Sequence, residues 1–375
     1  MKPSRSCDLI AAGITLVNRR TFLKATAGTA AAAQLPAAIT SAHIPMGLNT
    51  YCLRAMKWND VQLIDYTAGL KLDAVFLQDS LDPEAMVPSH WSKIRDYAAS
   101  KGLHLETGTG AVLPKSPADF DASVNNLTTA IERAKTLGSP IVRCLHASDR
   151  EHLPPGPIEQ HIDTMVKVLR AIRQRAMDAG VKIAIENHKD LLAWEMRQVM
   201  EGAGKEFVGS YLDTGNPMFV LEHPMTTLEV LGPLALTVHL RDSILYETKN
   251  GVAVQWVPLG EGIVDFKAFV ARMREICPPV YVYIKPITGR PPQELHYLEA
   301  DYWKKYPDVK AADFARFLAL AKQGHPYEKP MVVEDLQNRA IPAEFVTAVQ
   351  FQQRDHMQRS VEYAKKTLDL GVRWR

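Results

Sequence analysis

Cysteine is sparse, with four in 375 residues, at positions 7, 52, 144 and 277, and no C-x-x-C pair among them. That spacing excludes a zinc ribbon, a thioredoxin-like dithiol and a disulfide scaffold. An excess of charge of one sign is also missing. Lys and Arg number 44 against 42 Asp and Glu, and no basic run or stripe suggests a nucleic-acid groove. Neither G-x-S-x-G nor H-E-x-x-H occurs, and no glycine-rich dinucleotide loop follows the first apolar segment, so serine-hydrolase and Rossmann readings fall away. Past the N-terminal segment, no run is long and apolar enough to read as a membrane span. Hydrophobic side chains are plentiful at 46% of the chain, enough at this length for one large core or two ordinary ones.

The first 42 residues differ in kind from the rest. They contain NRRTFLKATAGTAAAAQLPAAITSA, in which Arg19-Arg20 is followed by Phe22, Leu23 and Lys24 and then an alanine-rich, weakly apolar run. This resembles a twin-arginine export signal, the bacterial route for proteins that have already folded, with Asn18 where serine or threonine is commoner. Thr40–Ala42 offers a cut before His43. The run is too short and too weakly apolar to span a bilayer securely. The reading is therefore a signal over 1–42, a single domain over 43–375 and a periplasmic destination. Removing Lys2, Arg5, Arg19, Arg20, Lys24 and Asp8 takes the formal charge from +2 to about −2, so the basic balance says little about partners.

From residue 44 onward, short apolar runs alternate with helical stretches. Eight candidate strands begin with IPMGLNTYCL and continue at 72–79, 103–107, 140–147, 181–187, 207–213, 235–242 and 280–286. Between two of them, Ile162, Met165, Val166, Val168, Leu169 and Ile172 recur at three- and four-residue intervals, and Gly180 supplies a stop, the pattern of an amphipathic helix. The strands are near-continuous apolar runs, as strands covered by helices should be. Eight β-α units predict a closed (β/α)8 TIM barrel, with an open doubly wound sheet as the alternative. Two long insertions, at 243–266 after strand seven and 287–343 after strand eight, follow the strand ends that form the active face of a barrel. Both are read as a lid or substrate wall, the second alternatively as outer padding or a homo-oligomer contact.

Ionisable residues stand where strands end. Glu106 closes LHLE, His146 closes IVRCLH, Glu186 closes KIAIE, Asp213 closes GSYLD and His239 closes LTVH. Charge is costly in a buried strand, so five such ends would converge at one mouth. Glu186, Asp213 and His239 together suit a divalent metal such as manganese, zinc, cobalt or iron, whereas His239 alone would read as a hydrogen-bonded core histidine. His146, His188, Asn216 and Arg241 are candidate substrate contacts, with Asn187 and Asp242 as neighbours. In PIVRCLH, alternation puts Arg143 and Leu145 on one face and Cys144 and His146 on the other. His146 is taken as the pocket residue and Cys144 as a small buried filler. Trp256, inside the first insertion, is the candidate platform for the apolar face of a sugar. Gly260 and Gly262 flank Glu261 in a tight loop that is too short for a phosphate-cradling P-loop.

The segments IENHKD, YLDTGNP, VHLRD and PLGEGIVDF resemble those of the xylose-isomerase-like barrels, which include sugar phosphate isomerase/epimerase-like and inosose-dehydratase-like proteins. The resemblance implies a metal held by Glu186, Asp213, His239 and a second glutamate at the end of strand eight, with the two glutamates moving protons beside a carbonyl. That last position is Lys285, in VYVYIKPITG. Asn216 stands where some epimerase-like relatives have histidine. Four readings of Lys285 are open: a surviving three-residue metal site; an ammonium that replaces the metal's charge by pairing with Glu186 or Asp213; a catalytic lysine; or a lysine that snorkels to an acid in the second insertion. The functional expectation is a metal-dependent sugar isomerase or epimerase using Glu186, and Lys285 if it is catalytic, on a carbohydrate or polyol-like substrate. The alternatives are a lyase that cleaves a keto sugar or glycoside and a non-catalytic sugar-binding barrel.

Replacing both Arg19 and Arg20 by lysine is expected to leave the precursor in the cytoplasm. Fractionation of cells expressing the two forms checks this, and periplasmic recovery of the double variant would refute the export reading.

Overall fold

The computed structural model describes residues 43–78, 82, 87–333 and 341–375. The export signal lies outside the described residues. Eight parallel strands close a barrel: β1 (Met46–Asn49), β2 (Ala74–Leu77), β3 (His104–Ala111), β4 (Ile141–Leu145), β5 (Lys182–Glu186), β6 (Val208–Asp213), β7 (Ala235–Leu240) and β10 (Val282–Ile284). β1 pairs with both β2 and β10, which completes the circle. The eight apolar runs are the eight staves of a (β/α)8 barrel. Helices cover them because each strand buries both faces and needs an apolar layer outside.

The helix read between two strands is present at Ile158–Ala179. It ends at Gly180, whose φ of 67° lets its N–H reach back to the Ala176 and Met177 carbonyls. The barrel interior is filled by an aromatic layer. Phe76 packs edge-on against Tyr211, His239 and Tyr283, and His239 is sandwiched between the rings of Tyr211 and Tyr283 at 3.8 and 4.8 Å. Gly47 makes room for this layer, since a Cβ there would stand 2.8 Å from the Tyr283 ring and 2.3 Å from the Ala74 carbonyl.

Glu106 is not at a strand end. β3 runs on to Ala111, so Glu106 faces inward below the mouth, 3.5 Å from His104. A sequence window that closes at LHLET cannot foresee this, because the polar and glycine residues that follow have no strand signature.

The insertions build a second layer over the mouth. β8 (Asp242–Thr248) and β9 (Gly251–Val257) form an antiparallel hairpin, and β11 (Gln293–Leu295) adds to β9. The helix Ala311–Ala321 packs Phe317 against Leu245, Val252, Val254 and Leu295, with Phe219 and Leu221 beneath. Asp242 anchors the base of the hairpin. Its carboxylate accepts from the backbone N–H groups of Ser243, Gly260, Gly262 and Val264. Within the second insertion, the stretch around Trp303 lies off the cavity wall and packs on the barrel through its aromatic side chains. Tyr306 packs with Leu192 and Val220 and lies under the guanidinium of Arg150, which also pairs with Glu195. No helix among the described residues is long and apolar enough to cross a membrane.

Glu222 caps the N-terminus of the helix Ala193–Ala203, accepting from Ala193 N–H and from the Thr227 hydroxyl. Burial pushes its carboxyl up to about 8. A folded pKa above the unfolded one favours the native state at low pH, and this contribution is lost as pH rises from the ordinary carboxylate range through about 8. Glu222→Gln, which mimics the protonated acid, is expected to flatten the decline of Tm between pH 5 and 9. An unchanged slope by calorimetry would show that Glu222 is not a source of it.

Candidate functional site

The site sits at the C-terminal ends of β4 to β7 and β10. β5 ends in Glu186, β6 in Asp213, and β10 runs directly into Lys285, whose N–H bonds the carbonyl of Leu240 on β7. All three side chains are buried, at 1%, 0% and 3% exposure. Lys285 Nζ donates to Glu186 Oε1 at 2.8 Å and to Asp213 Oδ2 at 3.0 Å. Of the four readings open for this lysine, the ion pair with both acids is the arrangement found. Snorkelling toward the second insertion is not, because the ammonium turns inward.

Each carboxylate has a further cationic partner. Arg143 Nε donates to Glu186 Oε2 at 2.6 Å, with Nη2 also on that oxygen. Arg241 grips Asp213 through Nε at 3.2 Å and Nη2 at 2.9 Å, and Nη2 also reaches Asn216 Oδ1 at 2.7 Å. Asn216 returns its amide to Glu186 Oε1 and to the Asn187 carbonyl. Asn187 makes a reciprocal pair with the Asp213 backbone. Buried charge survives because every member is paired and hydrogen-bonded. Burial would raise the Glu186 carboxyl, but Arg143 and then Lys285 outweigh it and hold Glu186 well below the usual carboxylate range.

His239 lies in the aromatic layer beneath. Burial, and then the Lys285 ammonium, hold its imidazole well below the usual range. Its Nδ1 has no hydrogen-bond partner among the described residues, and Nε2 is 3.5 Å from the Thr237 hydroxyl. The resemblance implied a metal on Glu186, Asp213 and His239. As placed, these residues do not fit one. Two arginines and a lysine already neutralise the carboxylates, and a nearby ammonium opposes a divalent cation. Among the described residues, the set whose ligand atoms gather within 4.8 Å is a different one: Asp60, Asp82 and His90. It lies where the helices Asp60–Gly69 and Pro88–Ser100 begin, with His90 Nε2 2.8 Å from Asp60 and 3.6 Å from Asp82. It is a candidate metal-binding set. No strand-end pattern could have flagged it, since its members come from helix starts and a loop.

A cavity of about 880 Å³ opens above the paired charges, walled by Arg143, His188, Lys189, Arg241, Trp256 and Lys285 among others. Arg241 stacks 4.1 Å from the Trp256 ring centre, and Trp256 Nε1 donates to the Gly215 carbonyl. Of the expected substrate contacts, His188, Arg241 and Trp256 line this cavity; Asn216 is buried beneath it. His146 is not on its wall but sits behind, 3.4 Å from Asp190. Alternation paired Arg143 with Leu145 correctly, and it is their face that looks into the cavity. Sequence alone could not say which face was inner, because both carry a polar residue.

An eight-stranded closed barrel with helices around it and a roofed mouth defines the (β/α)8 class. The family model for xylose isomerase-like TIM barrels matches residues 64–304, and the chain belongs to that family. A twin-arginine translocation signal matches residues 16–36, so the chain is exported by that pathway to the periplasm. The chain is 22% identical to 3-oxo-isoapionate decarboxylase of Pectobacterium atrosepticum over 214 residues, 56% of this chain and 72% of that protein. Among solved structures, D-psicose 3-epimerase from Clostridium cellulolyticum H10 superposes with a TM-score of 0.54 at 11% identity, covering 85% of this chain and 99% of that one. The 3-keto-D-glucoside 4-epimerase YcjR of E. coli gives 0.53 at 13%, covering 74% and 98%. The fold is thus that of sugar isomerase- and epimerase-like barrels.

Lys285→Met removes the shared partner of two buried acids. It is expected to cost about 3 kcal/mol of stability, read as a lower urea midpoint. An unchanged midpoint would mean that the ammonium is not their counterion.

Proposed function

We propose that this chain is an enzyme that generates and stabilises an enolate from a sugar-derived carbonyl compound at the barrel mouth, with fixed cations in place of a metal there. The observation that carries this reading is the Lys285 ammonium shared between Glu186 and Asp213. It stands where the resemblance implied an anionic metal ligand. Lys285 and Arg241 line the cavity, so their N–H groups can meet an oxyanion without reorganising, which is the strongest form of electrostatic catalysis.

The resemblance gives the proton-abstracting role to Glu186, which lies one layer beneath the cavity wall, under Arg143 and Lys285. While Lys285 and Arg143 hold it, it is a weak base. As negative charge builds on the substrate oxygen, it shares the field of the fixed ammonium, which then stabilises the Glu186 carboxylate less, and Glu186 becomes more basic. Return of the proton to the neighbouring carbon gives an isomer, and return to the opposite face of the same carbon gives an epimer. Loss of a β-substituent instead gives elimination. A second reading is decarboxylation of a 3-oxo acid. There the electrons of the C–C bond pass into the ketone, carbon dioxide leaves, and the enolate is then protonated. What favours it is that no Asp or Glu among the described residues is on the cavity wall, since this reaction needs an electron sink but no base. The decarboxylase relative supports the same reading.

Solvent deuterium incorporation into a panel of keto sugars, with carbon dioxide release from 3-oxo sugar acids measured alongside, tests the proposal. Lys285→Gln is expected to lower kcat by about a hundredfold or more. Saturable binding with neither exchange nor carbon dioxide would leave the chain a sugar-binding barrel. Metal analysis of His90→Gln and Asp213→Asn is the companion measurement. Stoichiometric metal lost only in Asp213→Asn would return the metal to the mouth and overturn the cationic mechanism.

A further inference from the structure

The wall of the mouth cavity carries five cationic side chains, Arg143, Lys189, Arg241, Lys285 and Arg290, and no carboxylate among the described residues. The acids beneath it that neutralise part of this charge are Glu186 and Asp213. With Arg290 left out of the count, four cations against two acids leave an excess of two positive charges among the described residues. Asp149 and Glu151 draw on Lys189 only from a distance, and a neutral sugar would not compensate the excess. Lys189 has no acidic partner within ion-pair distance among the described residues. Its Nζ reaches only Gln293 Oε1, at 3.3 Å, and lies 5.2 and 5.7 Å from the Phe219 and Trp256 ring centres. Arg241 spends Nε and Nη2 on Asp213 and Asn216, and its Nη1 makes no hydrogen bond among the described residues.

We infer that the substrate of this site is an anion, a sugar-derived carboxylate, whose acid group is received by Lys189 and Arg241 beside Trp256 while its carbonyl faces Lys285. The inference rests on the enolate reading for the position of the carbonyl, but the charge excess stands without it. Carboxylate is favoured over phosphate because the glycine turn of the first insertion offers no free cradle. The backbone N–H groups of Gly260 and Gly262, which could have cradled a phosphate, both donate to Asp242 Oδ2, at 3.0 and 2.9 Å. Arg241 Nη1 beside the Trp256 ring and the Lys189 ammonium can each donate to one oxygen of a carboxylate. The volume of about 880 Å³ is ample for a sugar acid.

Calorimetric titration of the full mature chain tests this with matched probes: D-glucuronate, D-galacturonate and 2-keto-D-gluconate, against D-glucose, D-galactose and D-fructose, and against the hexose 6-phosphates. At least one acid is expected to bind tenfold or more tighter than its neutral partner and to weaken as salt rises from 50 to 500 mM. Lys189→Gln is expected to weaken that acid about tenfold and leave the neutral sugar unchanged, with Lys189→Arg restoring it. Lys189 is only half-buried, and circular dichroism of both variants establishes that they are folded. Equal affinity for acid and neutral sugar, or binding of no acid, overturns the inference. Tighter binding of a 6-phosphate overturns the carboxylate assignment. Deuterium exchange on the acid that binds is scored separately, so a bound acid with no exchange sinks the enolate reading and leaves the anion site standing.

Discussion

Buried charge must find a partner, and in this barrel one ammonium serves two acids. The Lys285 bridge between Glu186 and Asp213 sets the positions of Arg143, Arg241 and Asn216, because each of these completes a hydrogen bond that the bridge leaves open. The network joins β4, β5, β6, β7 and β10 at one end. In a low-dielectric interior such a set is rigid when complete and costly when broken. On the proposed reading, the same bridge also sets the chemistry. It removes the two carboxylates as ligands for a divalent cation and presents fixed N–H groups to the cavity.

The roof turns this charge cluster into a site. Without the hairpin β8–β9 and the strand β11, the cations would face bulk water and be screened over about 8 Å at physiological salt. With them, Trp256 lies over Arg241, and Lys189 is held near two aromatic rings without an acidic partner among the described residues. The roof has its own small core around Phe317 and Leu245. It is tied to the barrel through Asp242, whose carboxylate collects backbone N–H groups from both the hairpin and the glycine turn. The insertions therefore serve as a wall, as their position after strands seven and eight implied. The segment around Trp303 serves instead as packing against Arg150 and Leu192.

Much of this was legible in the residues. The apolar runs, the period of the helix ending at Gly180 and the ends KIAIE, GSYLD and YIKP predict the barrel and put Glu186, Asp213 and Lys285 at one mouth, where the structure has them. Errors came where neighbours beyond the strand decide. Glu106 looks terminal only because the polar residues after it hide the continuation of β3 to Ala111. His146 was preferred to Arg143 because alternation gives the parity of two faces but not which one is inside. The Asp60, Asp82 and His90 set has no local pattern, since helix starts and a loop bring it together.

The sequence by itself determined the export signal, the closed eight-stranded barrel and the convergence of strand-end polar residues, because these follow from composition and from hydrophobic period, both local properties. It also isolated Lys285 as the odd residue in an otherwise acidic pattern. Only the tertiary structure decided what that lysine does. Whether an ammonium snorkels, binds or bridges depends on the distance to acids 99 and 72 residues away, and on whether arginines from other strands have already reached them. Electrostatic pairing in a buried site is a many-body balance of desolvation and geometry, and no spacing along the chain encodes it.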